Sequence, residues 1–412
     1  MKQPVLDDVP GRAGTAAAVG MCLAGAVVLV LLVMGIQRDG DPLGSQDFVA
    51  YWSAFDVAVD GDNPYDLQAL ASAQAPLELS SIDEPQRFWN PPWTLLVLAP
   101  VLALPFRLAA ATWLVLNLAA GVALAWTGWR LLGPRGVGLP PLALAGSLLF
   151  LPFLEALFLG QLSPLVAVVV FSAVLALRER RDIAAGVLVG LLATKPQTLL
   201  ILLLVLGVHV LWSRRWVVVG AALATVAVFA GAAAVLLPSA FEGWDPVGGA
   251  PTYWQTASVA GWLRILLEDG RAAPEWPLAV VPLAALLLAI PWAWRQRRHP
   301  ERQLLAVLAV SYLVAPYAWI FDATVLLPLH VVVFGRALLG GVRQRCLAWV
   351  LIGVQVLALV WRAQPWTYQH HMVWLPAALL AAELWRQHGE ARPADTPAVT
   401  HSEGRAVQGS CG

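Results

Sequence analysis

Long, unbroken apolar runs recur through this 412-residue chain and constrain its fold more than any other feature. Residues 14–36, 107–129, 163–177, 216–237, 277–294, 322–338 and 346–361 are almost free of charge. A bilayer's hydrocarbon core is about 30 Å thick, so a helix rising 1.5 Å per residue needs about 20 apolar residues to cross it. Lipid offers the backbone no hydrogen-bond partners, so only helices and closed barrels cross. Runs of Leu, Val and Ala without polar alternation specify helices rather than barrel strands. The expectation is an all-α polytopic membrane protein with about 11–13 transmembrane helices.

Basic side chains set the sidedness, because Lys and Arg near span ends stay cytoplasmic. Arg178, Arg180 and Arg181, then Arg214 and Arg215, then Arg295, Arg297, Arg298 and Arg302, then Arg336, Arg343 and Arg345 form four such clusters. Holding all of them inside requires 183–213 to go out and return as two short helices hinged at Thr194-Lys195-Pro196, since proline lacks the N–H a continuous helix needs. Residues 37–92, with ten acids against Arg38 and Arg87, then form a first outer loop, and 238–276 a second. The second loop carries Phe241-Glu242-Gly243-Trp244-Asp245 and an amphipathic piece near 254–267, with Trp254, Trp262 and Leu266 on one side, suited to lying in the interface plane. Between Trp93 and Trp129 the parity is ambiguous. A short helix, a break at Pro105 and a full helix would leave Arg130 and Arg135 outside, unless one piece is re-entrant or 139–158 crosses unexpectedly.

The remaining composition excludes more than it assigns. With 26 basic and 26 acidic residues the net charge is zero, so no bulk field draws a nucleic acid. Cys22, Cys346 and Cys411 have the spacing of neither a disulfide framework nor a metal site. The run 14–36 is too long for a cleavable signal and is closed by no small-residue cleavage site. Residues 1–386 read as one transmembrane domain and 387–412, polar and rich in Pro, Ala, Gly and Ser, as a disordered cytoplasmic tail.

Against this apolar background, polar signals gather on the outer face. Asp47 stands just beyond the first helix, followed by Tyr51 and Trp52. Desolvation beside aromatics would raise its pKa and suit it to general-base work, while the bland alternative is a solvated loop acid. Asp56, Asp60, Asp62 and Asp66 surround the turn Asp60-Gly61-Asp62-Asn63-Pro64 and fit local backbone hydrogen bonding. Lys195 is the only lysine after Lys2, and a lone lysine between apolar helices is a candidate for function, or else it snorkels to the interface. Its ammonium suits an anionic phosphate. In Gly160-Gln161, the amide can hold a sugar hydroxyl as donor and acceptor at once, although Ser163-Pro164 beside it is also an ordinary helix start. In Pro316-Tyr317-Ala318-Trp319-Ile320-Phe321-Asp322, the acid either caps a helix, pairs with a base or contacts a substrate hydroxyl. His370 and His371, near Trp366 and Tyr368, are either phosphate ligands or wet interfacial histidines.

Taken in order, Asp47, Gly61-Asp62-Asn63-Pro64-Tyr65, Asn90-Pro91-Pro92, Trp113 with Asn117, Gly160-Gln161, Gly190 with Thr194-Lys195-Pro196, and Pro316-Tyr317-Ala318-Trp319 resemble glycosyltransferase family 87 over roughly residues 14 to 385. That family includes actinobacterial mannosyltransferases that act on phosphatidylinositol mannosides and related lipoglycans. The resemblance implies a GT-C membrane fold with extracytoplasmic loops that carry short interfacial helices. It implies a polyprenyl-phosphate sugar donor, typically mannose, a glycolipid or polysaccharide acceptor, and inverting transfer on the outer face of the plasma membrane. It implies no metal and no cofactor. The family's catalytic base falls on Asp47, and its Lys-Pro position on Lys195. Tyr65, Asn90, Gln161, Trp319, Asp322, His370 and His371 join Lys195 as candidate substrate-binding residues. The chain departs from the family at Ala315, where Ser is common, and after Trp319, where some members carry His. Two other classes fit an apolar chain with polar outer loops: a transporter or flippase of a lipid-linked glycan precursor, and a non-catalytic membrane scaffold. A cavity joining Asp47 to Lys195 would argue against the scaffold.

Overall fold

A computed structural model describes residues 41–80, 84–244, 256–268, 273–364 and 369–390. The run 14–36, Arg38, Asp245, Trp254, Trp366, Tyr368 and the chain beyond 390 lie outside the described residues. Within them, all regular secondary structure is helical.

Five helices are long and apolar enough to cross a membrane: Phe106–Leu132, Trp216–Leu236, Pro277–Gln296, Ile320–Leu338 and Val342–Arg362. A sixth span is available if Pro141–Leu148 and Leu151–Leu159, bent by 60°, count as one. The bend follows from Pro152, which has no N–H to continue the ladder. The Leu151 N–H at the bend finds a substitute in the Gln355 side-chain oxygen, 3.0 Å away. Shorter apolar helices, Ser163–Arg178, Asp182–Thr194 and Leu200–Trp212, fill the bundle between the long ones. Large apolar side chains on the long helices face outward, with Val235 and Leu288 each 80% exposed. Apolar surface on that scale is stable against lipid rather than water, and the chain is a multi-pass membrane protein.

Arginines of the basic clusters meet Arg130 at one end of the bundle. Arg130 pairs with Glu179 at 3.4 Å. Arg178 donates to the Leu131 carbonyl at 3.3 Å and Arg336 to that of Leu132 at 3.2 Å. Arg215 donates to the Leu177 carbonyl at 2.8 Å and pairs with Asp182. This settles the ambiguous stretch. Arg130 sits with the other cations, so only Phe106–Leu132 runs from end to end. Trp93–Leu102 is the piece that does not cross. Its Trp93 indole donates to the Ala193 carbonyl at 3.1 Å, and the Leu104 carbonyl just past its other end accepts from Trp52 at 3.0 Å. Both anchors lie at the end opposite Arg130 and the arginine clusters. The bent pair 141–159 then returns the chain to that end.

Close packing uses small residues. On Gly186 and Gly190 an added Cβ would come within 2.4 Å of the Val218 carbonyl oxygen and 2.7 Å of that of Ala222. Both glycines therefore let Asp182–Leu191 touch Trp216–Leu236 backbone to backbone. The amphipathic piece of the second loop is the helix Val259–Leu266, capped by the Ser258 hydroxyl accepting from Gly261 N–H at 3.1 Å. Trp262 and Leu266 are exposed on it. Ala257, just before it, donates to the Ala318 carbonyl at 2.8 Å and fastens the loop to the Tyr317–Trp319 element. At the C-terminal side, the last helix runs Trp374–Glu390 and so carries past the expected boundary at 387. Gln387 is held there by its own donation to Glu383 at 2.6 Å, within a buried network that includes the Arg386–Glu383 pair at 2.7 Å.

Candidate active site

Two left-handed glycines place the first acid. Gly44 has φ +77° and Gly160 φ +80°, and a Cβ on Gly160 would fall 1.9 Å from the Gly44 carbonyl oxygen. Only glycine gives both the conformation and the space. The 41–47 segment thereby docks on the end of helix Leu151–Leu159, and Asp47 N–H donates to the Leu159 carbonyl at 2.7 Å. Helix Phe48–Val59 starts at the next residue. Phe48 stacks on Trp113 with ring centroids 5.2 Å apart, and the Trp113 indole donates to the Gly160 carbonyl at 2.7 Å.

This docking brings Gln161 to Asp47. The amide Nε2 donates to Asp47 Oδ2 at 2.5 Å, while Gln161 Oε1 faces the Tyr51 hydroxyl at 3.3 Å. Burial pushes the Asp47 carboxyl up to about 6, although the Gln161 hydrogen bond and the positive charge of Lys195 both pull it down. A carboxylate of that basicity is matched to accepting a proton near neutral pH.

Lys195 lies between two short 3₁₀ turns, Leu192–Thr194 and Pro196–Thr198, where the helical backbone is interrupted. Irregular backbone at membrane depth is tolerated where it lines a cavity. The buried ammonium reaches Asp322 Oδ1 at 2.5 Å, donates to Ser163 Oγ at 3.0 Å and sits 5.0 Å from the centre of the Phe321 ring. Ser163 in turn donates to the same Asp322 oxygen at 2.6 Å. The other Asp322 oxygen accepts from Trp319 N–H at 3.0 Å. Capping and pairing with a base are therefore both realised at Asp322.

A cavity of about 320 Å³ joins these groups. Asp47, Gln161 and Lys195 line it together with Asn90, Tyr317, Trp319, Arg87 and Arg362. Asn90 also bridges elements: its side-chain amide donates to the Thr194 carbonyl at 3.0 Å, tying the first loop to the lysine turn. Tyr65 stands one layer back, its hydroxyl donating to the Asn90 carbonyl at 2.8 Å. Asp322 is likewise behind Lys195 rather than in the wall. His370 and His371 do not line this cavity. Their ring centroids lie 3.9 Å apart, tilted by 52°, in the turn Gln369–Met372, where burial and the neighbouring imidazole hold His370 down to about 4.

The loop acids divide as turn chemistry requires. Asp66 caps helix Leu67–Gln74 by accepting from Gln68 and Ala69 N–H at 2.8 and 2.9 Å, and Asp56, Asp60 and Asp62 are exposed. Two charged residues of the cavity were not singled out as site candidates in the sequence: Arg87 and Arg362. Their signal was present. Both are arginines at the end of the bundle that the other arginine clusters avoid, which is anomalous under the rule that set the sidedness. Ser163 reads in sequence as a helix start, yet it also bridges Lys195 to Asp322.

A sequence model described as Glycosyltransferase family 87 matches residues 88–316. No curated protein matches the chain. Among solved structures, ArnT from Cupriavidus metallidurans in the apo state is 16% identical, with a TM-score of 0.41 over 90% of this chain and 76% of that one. The same protein bound to undecaprenyl phosphate is 14% identical, with a TM-score of 0.40 over 89% of this chain and 75% of that one.

Proposed function

The chain belongs to glycosyltransferase family 87, and we infer that it moves a sugar from a polyprenyl-phosphate donor to a lipid or glycan acceptor, with inversion at the anomeric carbon. The sugar is mannose by the family's habit. The observation that carries this reading is the shared cavity: a carboxylate of raised basicity faces the same space as Lys195, Arg87 and Arg362. An inverting transfer needs one base on the face opposite the leaving group, and no second carboxylate at close range as nucleophile.

In the reaction, Asp47 accepts the proton of the acceptor hydroxyl as that oxygen attacks the anomeric carbon. The bond from that carbon to the donor's phosphate oxygen breaks, and the electron pair leaves with the phosphate. Gln161 holds Asp47 Oδ2, which fixes the carboxylate plane before the acceptor arrives. Charge develops on the departing phosphate, and cations already aimed at its position lower that barrier. Lys195 supplies one, held in place by Asp322 and Ser163. Arg87 and Arg362 supply the others. Tyr317 and Trp319 offer apolar ring faces to the sugar. The active end, free of the arginine clusters, faces outside the plasma membrane.

The scaffold reading has no use for a cavity that joins Asp47 to Lys195. A flippase would place its ionisable groups midway along the bundle, whereas these collect at one end. The test is sugar transfer by the purified protein in lipid vesicles, from synthetic polyprenyl-phosphate mannose to glycolipid extracted from a deletion strain. A mannosylated product supports the reading. Counterflow of lipid-linked sugar without any product would replace it with the flippase.

A further inference from the structure

Four amide side chains line the polar cavity: those of Gln86, Asn90, Gln161 and Gln197. An amide offers a hydroxyl group both a donor and an acceptor, so each is equipped to hold a sugar. Three of them are already engaged by the protein. Gln161 turns Nε2 to Asp47 and Oε1 to the Tyr51 hydroxyl, so both of its ends are occupied. Asn90 gives its Nδ2 to the Thr194 carbonyl at 3.0 Å, and Gln86 gives its Nε2 to the Glu84 carbonyl at 2.9 Å. Among the described residues, neither end of the Gln197 amide meets a hydrogen-bond partner. It is half-buried and faces the cavity.

The turn Pro196–Thr198 fixes where that amide starts from. Pro196 opens the turn with its φ set by the ring, and Leu199 N–H closes it on the Pro196 carbonyl at 3.0 Å. Thr198 and Leu199 behind it are buried, so the backbone of Gln197 is pinned and only its side chain is free to adjust. Lys195 stands immediately before the same turn and lines the same cavity. Three consecutive residues thus present a cation, a rigid proline and an unengaged amide. In a sugar phosphate the anomeric carbon is bonded directly to a phosphate oxygen, so a phosphate at Lys195 brings its sugar to the next group along the turn. An amide suits that place, because it gives and takes hydrogen bonds without competing with Lys195 for the phosphate charge. The acceptor hydroxyl is met from a different element, the first loop, by Asp47.

We propose that Gln197 hydrogen-bonds the ring hydroxyls of the donor sugar and so determines which sugar is transferred. The assignment rests on the glycosyltransferase reading for the existence of that donor. Tyr317 and Trp319 bound the same space with aromatic rings. Ring faces grip the apolar side of a sugar and do not distinguish one hydroxyl pattern from another. The Gln197 amide supplies that distinction.

The experiment measures transfer by the full chain in phosphatidylcholine vesicles, from synthetic polyprenyl-phosphate mannose and from analogues that each lack a single hydroxyl. Wild type should lose about tenfold in kcat/KM on at least one analogue, the worth of a neutral hydrogen bond. Gln197→Ala should lose the same factor on the parent donor and nothing further on that analogue, with the acceptor KM unchanged. Discrimination is a ratio between two donors on one protein, so a smaller folded fraction of the variant cancels. A Gln197→Ala protein that discriminates as wild type does overturns the proposal, and so does a loss confined to the acceptor KM. Wild type indifferent to every missing hydroxyl overturns it without recourse to a variant. Wild type that transfers nothing from any of these donors sinks the glycosyltransferase reading and the role of Gln197 with it. Transfer with intact discrimination in the variant sinks Gln197 alone, so the two failures are told apart.

Discussion

Asp47 and Gln161 are 114 residues apart in sequence, and Gln161 Nε2 donates to Asp47 Oδ2 at 2.5 Å. That contact exists because Gly44 and Gly160 dock backbone to backbone and bring the 41–47 segment onto the end of helix Leu151–Leu159. The proposed base and the amide that holds it are therefore one construction.

Replacing Asp47 by Asn removes the proposed proton acceptor and leaves the shape. Transfer should fall by about 10²- to 10⁴-fold, the usual contribution of a general base. Expression and thermal unfolding should stay near wild type. A D47N protein with full turnover would remove Asp47 from the mechanism. In wild type, the acidic limb of kcat/KM should lie near the raised carboxyl value of about 6, with activity lost as pH falls through it. The Gln161 bond favours the ionised form, so Gln161→Ala should push this limb to higher pH. A limb that moves down, or not at all, contradicts the assigned hydrogen bond.

Lys195 and Asp322 are a buried pair whose members depend on each other. Deleting one partner leaves a buried charge uncompensated, at about 3–5 kcal/mol. Lys195→Ala and Asp322→Ala should each lower the unfolding temperature in detergent and abolish transfer. Lys195→Met combined with Asp322→Leu should recover much of the stability and none of the activity. A double variant less stable than either single would show that the pair is not the unit described here.

Gly160→Ala tests the docking itself. Alanine in a left-handed conformation costs about 1–2 kcal/mol, and its Cβ would overlap the Gly44 carbonyl. The 41–47 segment should lift away and transfer should drop. Gly220→Ala, at a position with open space around it, is the matched control and should be neutral. Equal behaviour of the two alanines would argue that Asp47 is placed by something else.

How much of this was legible before any coordinates depends on the range of the force involved. Helix extents followed from hydropathy: 107–129 became Phe106–Leu132 and 216–237 became Trp216–Leu236. Desolvation acts on each residue by itself, so it leaves a local trace in the sequence. The break at Lys195 was legible for the same reason, because proline's missing donor is local. The course of 93–129 was not, since Trp93–Leu102 and Phe106–Leu132 are both apolar. Only the tertiary anchors Trp93 to Ala193 and Trp52 to Leu104 show which one turns back. Asp322 could be a cap or an ion-pair partner in sequence, and the fold makes it both. Arg87 and Arg362 were passed over because an arginine at a helix end or in a loop is ordinary unless one asks which end it occupies.

Arg87 carries the last prediction. Lys195 is held by Asp322 and Arg362 by Glu155, so both are positioned before a phosphate arrives. Arg87 lines the same cavity from a loop that is otherwise acidic. A charge-assisted hydrogen bond to phosphate contributes about 1.5–3 kcal/mol, so Arg87→Ala should raise the donor KM by about ten- to a hundredfold. The acceptor KM should hardly change. Arg87→Lys keeps the charge but loses the two-pronged geometry, and should fall between the two. The measurement is steady-state transfer at varied donor concentration with acceptor saturating. A selective rise in the acceptor KM would instead place Arg87 on the acceptor side of Asp47 and leave the leaving phosphate to Lys195 and Arg362.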